Sequence, residues 1–241
     1  SDKSKSEFIS TVSHELRTPL TSIKGSLEML KSGKIIELSA PAERLVAMAA
    51  KNSNILNLLV NDLLDFERID TGNLEVSKRP SDIVTIVKDE IETMMSYDTE
   101  QEVEYFYTGD DGPIIGNVDP DRIAQVVRNL LSNAVKFSPR NGGVFVSVRA
   151  ETGAVRVVVA DSGCGISPDD CARIFDKFTQ VDSSDTRKHR GTGLGLAISK
   201  GIIVAHGGDI GVTSVEGVGS EFYFVVPIGI EDKRLPLQDA A

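Results

Sequence analysis

Residues 8–20 read FISTVSHELRTPL, and this stretch decides how the N-terminal part of the chain is expected to fold. Apolar residues recur every three or four positions through it and on to Leu30, which predicts an amphipathic helix. His14 lies two positions from Val12 and two from Leu16, so at roughly 100° per residue it projects about 200° from the apolar stripe. We therefore expect the His14 imidazole on the solvent side of the helix.

Three neighbours distinguish His14 from an ordinary solvated histidine. Glu15 follows directly and can orient the imidazole or take its proton, and an imidazole nitrogen accepts a phosphoryl group only when it is unprotonated. Pro19 either ends the helix or kinks it, and the continuing apolar stripe favours a kink. Thr18 comes four residues after His14, on the same helical face.

A second amphipathic helix is predicted to begin near Ser39-Ala40-Pro41, because proline is tolerated in the first turn of a helix. Its seam alternates steps of three and four, and comprises Leu45, Met48, Asn52, Ile55, Leu59, Asp62, Phe66 and Ile69. A lone hairpin cannot bury stripes this wide, so we expect a second copy to complete a four-helix bundle. Asn52 and Asp62 are expected to fix its register at some cost in stability.

The pattern changes after residues 70–73, where the chain becomes mixed α/β. Helices are expected at 82–97, 120–137, 168–175 and 194–206. Strands rich in Val, Phe, Tyr and Ile are expected at 74–77, 102–108, 114–118, 143–150, 154–160, 209–215 and 220–227. Asp119 and Pro120 suit the cap and first position of a helix. Strands adjacent in sequence, with helices set between them, predict a sheet covered on one face by helices, an α/β sandwich.

Charge and composition argue against several classes of protein. The formal net charge of -10, with no basic stripe, is untypical of a nucleic-acid binder. No apolar run reaches the ~18 residues that a membrane-spanning helix needs, and no signal peptide is visible. Cys164 and Cys171 match neither a disulfide framework nor a zinc site, and we expect ordinary reduced thiols.

The expected helix at 120–137 carries a group of polar residues that suits a nucleotide. Asn129, Asn133 and Lys136 are spaced i, i+4, i+7 and therefore share a face. An amide oxygen suits Mg²⁺, and a lysine one turn further can meet phosphate as a point charge. The alternative is the polar outer face of an amphipathic helix.

A second group follows an apolar strand that ends at Asp161. A carboxylate accepts a hydrogen bond from the exocyclic amine of adenine and repels the oxygen that guanine presents there. Gly163 and Gly165 allow the backbone to approach a base closely. The alternative is a simple Asp-Ser-Gly turn.

A third group is the glycine run 191–195, directly before a helix. Glycines at a helix start present backbone N–H groups to phosphate. The run is neither a Walker loop nor a Rossmann start, because no Gly-Lys-Ser/Thr follows it and no strand precedes it. The polar stretch 179–190 before it is interpreted as a lid.

Taken together, these motifs resemble those of the sensor histidine kinases, over about residues 5–228. Residues 8–20 are similar to the H-box of the family, on its dimerisation and histidine-phosphotransfer hairpin. Four later motifs resemble its N, G1, F and G2 boxes, namely Asn129/Asn133, Asp161-x-Gly163-x-Gly165, Phe175-Asp176-Lys177-Phe178 and Gly191-x-Gly193-x-Gly195.

The resemblance implies a domain organisation and a reaction. The implied domains are a dimerisation and phosphotransfer domain over 1–72, an ATP-binding domain of the Bergerat type over 73–230, and a tail or linker over 231–241. The family phosphorylates a histidine with ATP, which would be His14, and passes the phosphoryl group to an aspartate of a response regulator. Glu15 is the implied base, and the Glu15-x-x-Thr18 pair is implied to help water attack the phosphorylated regulator.

The resemblance also assigns roles at the nucleotide. Asn133 is expected to hold Mg²⁺, and Asn129 and Lys136 are expected to face phosphates. Adenine is expected to contact Asp161, Gly163 and Gly165, with Phe137 near the base. The hinge of the lid and the phosphate cradle are expected to comprise Gly191, Thr192, Gly193 and Leu194, with Phe175 and Phe178 as packing residues.

One position departs from the family pattern. Many relatives carry an arginine shortly after the second phenylalanine of the F box, where this chain has Gln180. The substitutes within reach in sequence are Arg187, Lys188 and Arg190. His189 and His206 match no family role and are expected to be structural or solvated.

The expected partners follow from the same resemblance. They are a second copy of the chain and a response-regulator receiver domain, with no nucleic acid. This part of the protein is expected in the cytoplasm, with membrane attachment only through a region before Ser1. The alternatives are a degenerate kinase that only binds partners and an enzyme that acts mainly as a regulator phosphatase. A gyrase- or Hsp90-like ATPase would have no use for the His14-Glu15 helix.

Overall fold

The computed structural model describes residues 2–32, 38–97, 103–177, 179 and 193–228. In the first helix it describes side chains from Leu16 onward, apart from Arg17. The chain divides into two compact units, a first unit Ser1–Leu74 and a second unit Glu75–Ala241. Within the described ranges, no helix is both long and apolar enough to cross a membrane.

The first unit is a helical hairpin. Helix α1 spans Asp2–Lys31 and continues through Pro19, which confirms that the proline does not end the helix. Helix α2 spans Ala40–Asp70, begins after Ser39 with proline in its first turn, and packs against α1. Its end at Thr71 and Gly72 is where the change of pattern predicts it, and Gly72 has a φ of 70°.

Large apolar side chains remain exposed along both helices of this hairpin. They are Leu16, Ile23, Met29, Leu45, Met48, Ile55, Leu56, Leu58 and Leu59. Leu20 and Val60 are buried. A row of exposed apolar residues on both helices is more than the scattered exposure that is normal for a folded chain.

The second unit is an α/β sandwich, as predicted. Its elements in chain order are β1 Arg79–Asp82, α3 Ile83–Tyr97, β2 Glu104–Tyr107, β3 Ile115–Val118, α4 Pro120–Phe137, β4 Gly143–Glu151, β5 Ala154–Asp161, α5 Pro168–Cys171, α6 Gly195–Ala205, β6 Asp209–Val215 and β7 Gly219–Pro227. Five strands form one sheet in the order β2-β4-β5-β7-β6, with only the β2–β4 pair parallel. Strands β1 and β3 form a separate antiparallel pair.

One face of the large sheet forms the core. Val157 and Val159 of β5 pair in register with Phe224 and Phe222 of β7, and all four are buried. Helices α4 and α6 pack on this sheet and against each other, and α4 also packs against α3. Burial of each such side chain stabilises the fold by about 1.5–3 kcal/mol.

Helix α4 is the longest helix of the second unit and carries most of the polar group described above. The Asp119 side chain accepts a hydrogen bond from the Arg122 N–H, and Pro120 occupies the first turn, so the predicted cap is confirmed. The side of α4 that faces the core is entirely apolar and buried, and comprises Ile123, Val126, Val127, Leu130, Leu131, Ala134 and Val135.

Two expected elements differ from the structure. The strand expected at 74–77 is absent and the pairing strand is β1, because the Ser77 N–H donates to the Asp119 carboxylate at 2.8 Å and not to a neighbouring strand. The helix expected at 168–175 ends at Cys171. Beyond it the Arg173 and Asp176 N–H groups bond carbonyls three residues back, which forms tight turns and not an α-helix.

Candidate functional site

The residues of the first motif lie on one uninterrupted helix. His14, Glu15 and Thr18 are all on α1, upstream of Pro19. Thr18 is exposed, whereas the side chains of His14 and Glu15 lie outside the described residues. The solvent-facing direction of His14 and the bend at Pro19 therefore stay predictions.

The polar face of α4 is half-buried, unlike its buried apolar side. Asn129, Asn133 and Lys136 all have intermediate exposure. Burial lowers the pKa of Lys136, and its Nζ lies 4.8 Å from the ring centroid of Phe137, which is a cation–π distance. A partly desolvated ammonium attracts an anion more strongly than a fully hydrated one. The arrangement gives two amides and one cation along one side of α4.

Asn129 joins α4 to the start of α6. Its Nδ2 donates a hydrogen bond to the Ser199 Oγ at 2.9 Å. A Cβ added to Gly195 would overlap the Asn129 side chain, whose Cγ lies 3.1 Å from that position. A side chain on the glycine at the start of α6 would therefore displace the Asn129 amide, whatever the role of this glycine toward phosphate.

Asp161 lies at the last position of β5, on the buried face of the sheet, because Val159 two residues earlier is buried there. Its Oδ1 accepts a hydrogen bond from the Gly163 N–H at 2.8 Å. Burial raises the pKa of Asp161, and the N–H groups of Gly163 and Ser220 act against that rise. A half-buried carboxylate is a strong acceptor for an amine donor.

The two glycines after Asp161 have separate steric reasons. A Cβ on Gly163 would overlap the carbonyl oxygen of Phe137, at the end of α4. Gly165 has a φ of 69°, and a Cβ there would overlap the carbonyl oxygen of Val215, at the end of β6. The loop after β5 is therefore held against the last residue of α4 and against β6.

Three motifs that are far apart in the sequence thus meet around α4. Asn129 contacts Gly195, and Phe137 contacts Gly163. Gly193 has a φ of 71°, and Leu194, just before α6, is buried. The predicted site residues Gly191 and Thr192 lie outside the described residues. So do Phe178, Gln180 and the basic residues Arg187, Lys188 and Arg190.

Phe175 is half-buried and packs against a core residue, in agreement with its expected packing role. Its ring meets the ring of Phe222 edge to face, with 6.4 Å between centroids. This contact joins the segment before the expected lid to strand β7.

His206 has a structural role that agrees with the expectation for it. It is buried, its Nε2 accepts a hydrogen bond from the Asp119 N–H at 3.0 Å, and its Nδ1 lies 2.8 Å from the Ile202 carbonyl. Because Nε2 accepts, the proton must be on Nδ1 and the ring neutral. Burial lowers the pKa of His206, which favours this neutral form. The histidine thus links the end of α6 to the start of α4.

Sequence reasoning missed Ser199. A serine within the apolar helix α6 gives no signal alone, because helix interiors commonly hold one. Its spacing of four residues from Gly195 was the available signal, since it puts both on the side of α6 that meets α4.

The donor chemistry at α4 fits Mg²⁺ held together with phosphates. Among the described residues, no group of three or more His, Cys, Asp or Glu gathers to hold a metal ion. Mg²⁺ commonly takes one or two oxygen ligands from the protein and completes its shell with water and phosphate oxygens. The amides of Asn133 and Asn129, beside the cationic Lys136, supply such oxygens.

Comparison with known families divides the chain in two. Residues 4–72 match the His Kinase A (phospho-acceptor) domain. Residues 118–230 match the histidine kinase-, DNA gyrase B- and HSP90-like ATPase family.

Individual relatives cover both parts of the chain. Sensor histidine kinase WalK of Bacillus subtilis is 38% identical over 231 residues, which is 94% of this chain and 37% of WalK. Sensor histidine kinase RcsC of Escherichia coli K12 is 38% identical over 229 residues, which is 94% of this chain and 24% of RcsC. The chain therefore spans less than half the length of these curated relatives.

Solved structures give the same result. The crystal structure of full-length ShkA in complex with AMPPNP matches with a TM-score of 0.73 and 36% identity, over 92% of this chain and 45% of ShkA. The mycobacterial sensor histidine kinase MprB matches with a TM-score of 0.54 and 27% identity, over 63% of this chain and 97% of that one.

Proposed function

This chain belongs to the sensor histidine kinases of two-component systems, and from that premise we propose that it is a catalytic core that phosphorylates itself on His14. The phosphoryl group then passes to an aspartate of a response-regulator receiver domain. ATP is an intracellular metabolite, so the proposal places this part of the protein in the cytoplasm.

The meeting of three motifs around α4 is the observation that carries the proposal. The contacts Asn129–Gly195 and Phe137–Gly163 bring the start of α6 and the loop after the half-buried Asp161 carboxylate against α4, which carries the two amides and the lysine. If α4 had only a polar outer face, and if Asp161 began only an isolated Asp-Ser-Gly turn, there would be no reason for Gly195 and Gly163 to lie so close to α4 that a Cβ would overlap it. The degenerate, binding-only alternative leaves the gathering unexplained.

Each part of ATP finds a suitable group in this proposal. Asp161 accepts a hydrogen bond from the exocyclic amine of adenine, beside Gly163 and Gly165, and Phe137 packs near the base. Lys136 attracts the phosphates as a point charge, helped by its partial desolvation. The glycine segment Gly191, Thr192, Gly193 and Leu194 offers backbone N–H groups to phosphate.

Asn133, with Asn129 beside it, would hold Mg²⁺. When bound, Mg²⁺ supplies positive charge that offsets the charge on the phosphate oxygens during transfer. Amide oxygens of asparagine are ligands of the kind that Mg²⁺ accepts.

The chemical step transfers the γ-phosphoryl group from an oxygen of ATP to a nitrogen of His14. A ring nitrogen of His14 attacks the γ-phosphorus, a new N–P bond forms, and the bond to the β–γ bridging oxygen breaks, so ADP leaves with that electron pair. The attacking nitrogen is the unprotonated one, and Glu15 takes the proton from the other ring nitrogen, which becomes more acidic as the N–P bond forms. Positioning and charge neutralisation supply most of the rate, as in phosphoryl transfer generally.

The exposed apolar residues of the hairpin support a homodimer. Leu45, Met48 and Ile55 are exposed on α2, and Leu16 and Ile23 are exposed on α1. A second hairpin would bury these side chains in a four-helix bundle. The proposed subunit is therefore one half of the phosphotransfer domain.

Thr18 supports a second activity, the dephosphorylation of the regulator. It is exposed on α1, four residues after His14. We propose that it helps to orient water toward the phosphorylated aspartate of the regulator. Thr18→Ala is expected to remove this dephosphorylation and to spare autophosphorylation.

Incubation with γ-labelled ATP tests the main proposal directly. Wild-type protein is expected to acquire acid-labile, base-stable label, as a phosphohistidine does, and His14→Gln is expected to acquire none while still binding ATP. Asn133→Ala is the matched control at the nucleotide, and is expected to lose label through weak binding of Mg²⁺ and ATP. Acid-labile label that persists in His14→Gln would overturn the assignment. A mixture of the two variants regains label only if transfer crosses between subunits.

A further inference from the structure

We infer that Ser199 is a positioning residue, which holds the Asn129 amide so that the nucleotide site receives its oxygen and not its nitrogen. The inference rests on the proposed ATP-binding function and deepens it. It also changes the expectation for Asn129, from a residue that faces phosphate to one that faces the cation and its water.

The first observation is the hydrogen bond between the two side chains. Asn129 Nδ2 donates to Ser199 Oγ at 2.9 Å, and Ser199 is buried with 2% of its surface exposed. Ser199 lies on α6 among buried isoleucines, with Ile198, Ile202 and Ile203 as its buried neighbours on the helix. The nitrogen of the Asn129 amide is therefore committed to a partner inside the protein.

The second observation concerns the other end of the same amide. Asn129 Oδ1 is the atom nearest to the place that a Cβ on Gly195 would occupy. Gly195 is the first residue of α6, where backbone N–H groups have no partner within the helix and the helix dipole is positive. The N-terminus of α6 attracts the amide oxygen and repels the amide N–H₂ group. The contacts of the Asn129 nitrogen and of its oxygen therefore favour the same orientation of the amide.

The orientation decides which ligands Asn129 can serve. A phosphate oxygen needs a donor, and the amide nitrogen, which carries both N–H donors, is turned toward Ser199 and gives one of them to its hydroxyl. A carbonyl-type oxygen suits Mg²⁺ or a water bound to it. Ser199 thus makes the contribution of Asn129 to nucleotide binding depend on the metal, without touching the nucleotide itself.

The loss of the Ser199 hydroxyl would free the amide. The Asn129 nitrogen would have no partner in the apolar surroundings of α6, and an unpaired buried donor is costly. Rotation of the amide then turns the nitrogen toward the site and the oxygen away. The expected result is weaker binding of ATP with Mg²⁺ and little change for ATP alone.

Ser199→Thr and Ser199→Val form a matched pair, because threonine and valine have nearly the same shape and differ in the hydroxyl. Calorimetric titration of the whole chain with ATP is carried out in MgCl₂ and in EDTA. Wild type and Ser199→Thr are expected to bind Mg-ATP alike. Ser199→Val is expected to bind Mg-ATP about tenfold more weakly, with metal-free ATP unchanged within about twofold.

The outcomes separate this inference from the proposed function. Equal Mg-ATP affinity in the two variants, or an equal loss of metal-free ATP binding in Ser199→Val, would overturn the positioning role. Wild-type protein that binds no ATP under either condition would overturn the proposed function instead.

A measurement on the wild type alone covers the case in which the variants fail to fold. The side-chain N–H₂ protons of Asn129 are expected to exchange with solvent at least about tenfold more slowly than those of Asn117, because one pair donates to a buried hydroxyl and Asn117 is exposed. Equal exchange rates in ¹⁵N-labelled protein would show that the Asn129 nitrogen is not held by Ser199, and would overturn the inference.

Discussion

The two units of this chain differ in how far each completes its own core. In the second unit Leu130, Val157 and Phe224 have no exposed surface. In the helical hairpin Leu45 and Met48 remain 66% and 61% exposed, although both lie on the predicted seam. The second unit therefore has the packing of an independent domain, whereas the hairpin has that of half a bundle.

The same difference extends to how each unit builds its functional residues. His14, Glu15 and Thr18 are neighbours on one helix, so their relation needs no tertiary structure. The nucleotide residues come from α4, the end of β5 and the start of α6, and only the fold brings them together. The hairpin therefore leaves apolar side chains of both helices exposed, whereas the site residues of the second unit depend on how its helices, strands and loops pack.

Truncation of one leucine in each unit is expected to give the largest difference between the two units. Leu130→Ala leaves a cavity in the core of the second unit, and is expected to lower its free energy of unfolding by about 2–5 kcal/mol at any protein concentration. Leu59→Ala, at a position 38% exposed in the single chain, is expected to weaken association of the hairpin. Denaturant unfolding at several protein concentrations, with sedimentation of each sample, measures both effects.

The dependence on concentration is the decisive part of that result. Destabilisation by Leu59→Ala should be smallest at low protein concentration, where the wild type is also unassociated, and should grow as the wild type associates, because association stabilises the folded form by mass action. A loss that is the same at every concentration would mean that the hairpin is complete without a partner.

Two glycine substitutions should give a smaller contrast. A Cβ on Gly195 overlaps Asn129, so Gly195→Ala is expected to weaken Mg-ATP binding about tenfold or more by displacing that amide. Gly25 lies within α1, and a Cβ there meets nothing within 4 Å in the single chain. Gly25→Ala is therefore expected to stabilise the hairpin by about 1 kcal/mol, as alanine favours a helix over glycine.

Titration with ATP measures the effect of Gly195→Ala, and thermal unfolding measures the effect of Gly25→Ala. Gly25→Ala should leave ATP affinity unchanged, and Gly195→Ala should leave the hairpin unchanged. A destabilised Gly25→Ala hairpin would mean that the second subunit packs against Gly25 and needs the space.

The periodic elements could be predicted from sequence because their signals are local. Asp119 and Pro120 mark the start of α4, and Ser39 with Pro41 marks the start of α2. The failed strand at 74–77 had suitable residues, but the Ser77 N–H bonds Asp119, which lies far along the chain. A local sequence pattern cannot show that a distant carboxylate takes the Ser77 N–H that a strand would need.

The candidate site shows the same limit. Asn129, Asn133 and Lys136 could be grouped by helical spacing, and Asp161 by its place at the end of an apolar strand. The roles of Ser199 and Gly195 depend on the crossing of α4 and α6, which no spacing within one helix reveals. The sequence alone did not indicate the hydrogen bond from Asn129 to Ser199, and the expectation that Asn129 faces phosphate stays a prediction.

The smallest expected effect concerns Asp62, on the α2 seam. Burial, together with the nearby Asp65, raises the pKa of Asp62 from 3.8 to about 6. Between about pH 4 and 6 Asp62 is therefore mostly protonated in the folded form and mostly ionised in the unfolded form. The contribution of Asp62 to the free energy of unfolding is fully present below about pH 4 and is lost as the pH rises through 6. Above pH 6 the hairpin carries the cost of a partly desolvated charge.

Asp62→Asn removes that cost and should stabilise the hairpin near pH 7, by about 1 kcal/mol once solvent screening of the half-buried carboxylate is allowed for. Below about pH 3 the variant and the wild type should unfold alike, because the Asp62 side chain is then neutral in both the folded and the unfolded form. Free energies of unfolding measured from about pH 3 to 7 at one protein concentration give the difference directly. If the difference were constant across this range, the asparagine would be acting through packing and not through charge, and Asp62 would not be the group on the seam that responds to pH.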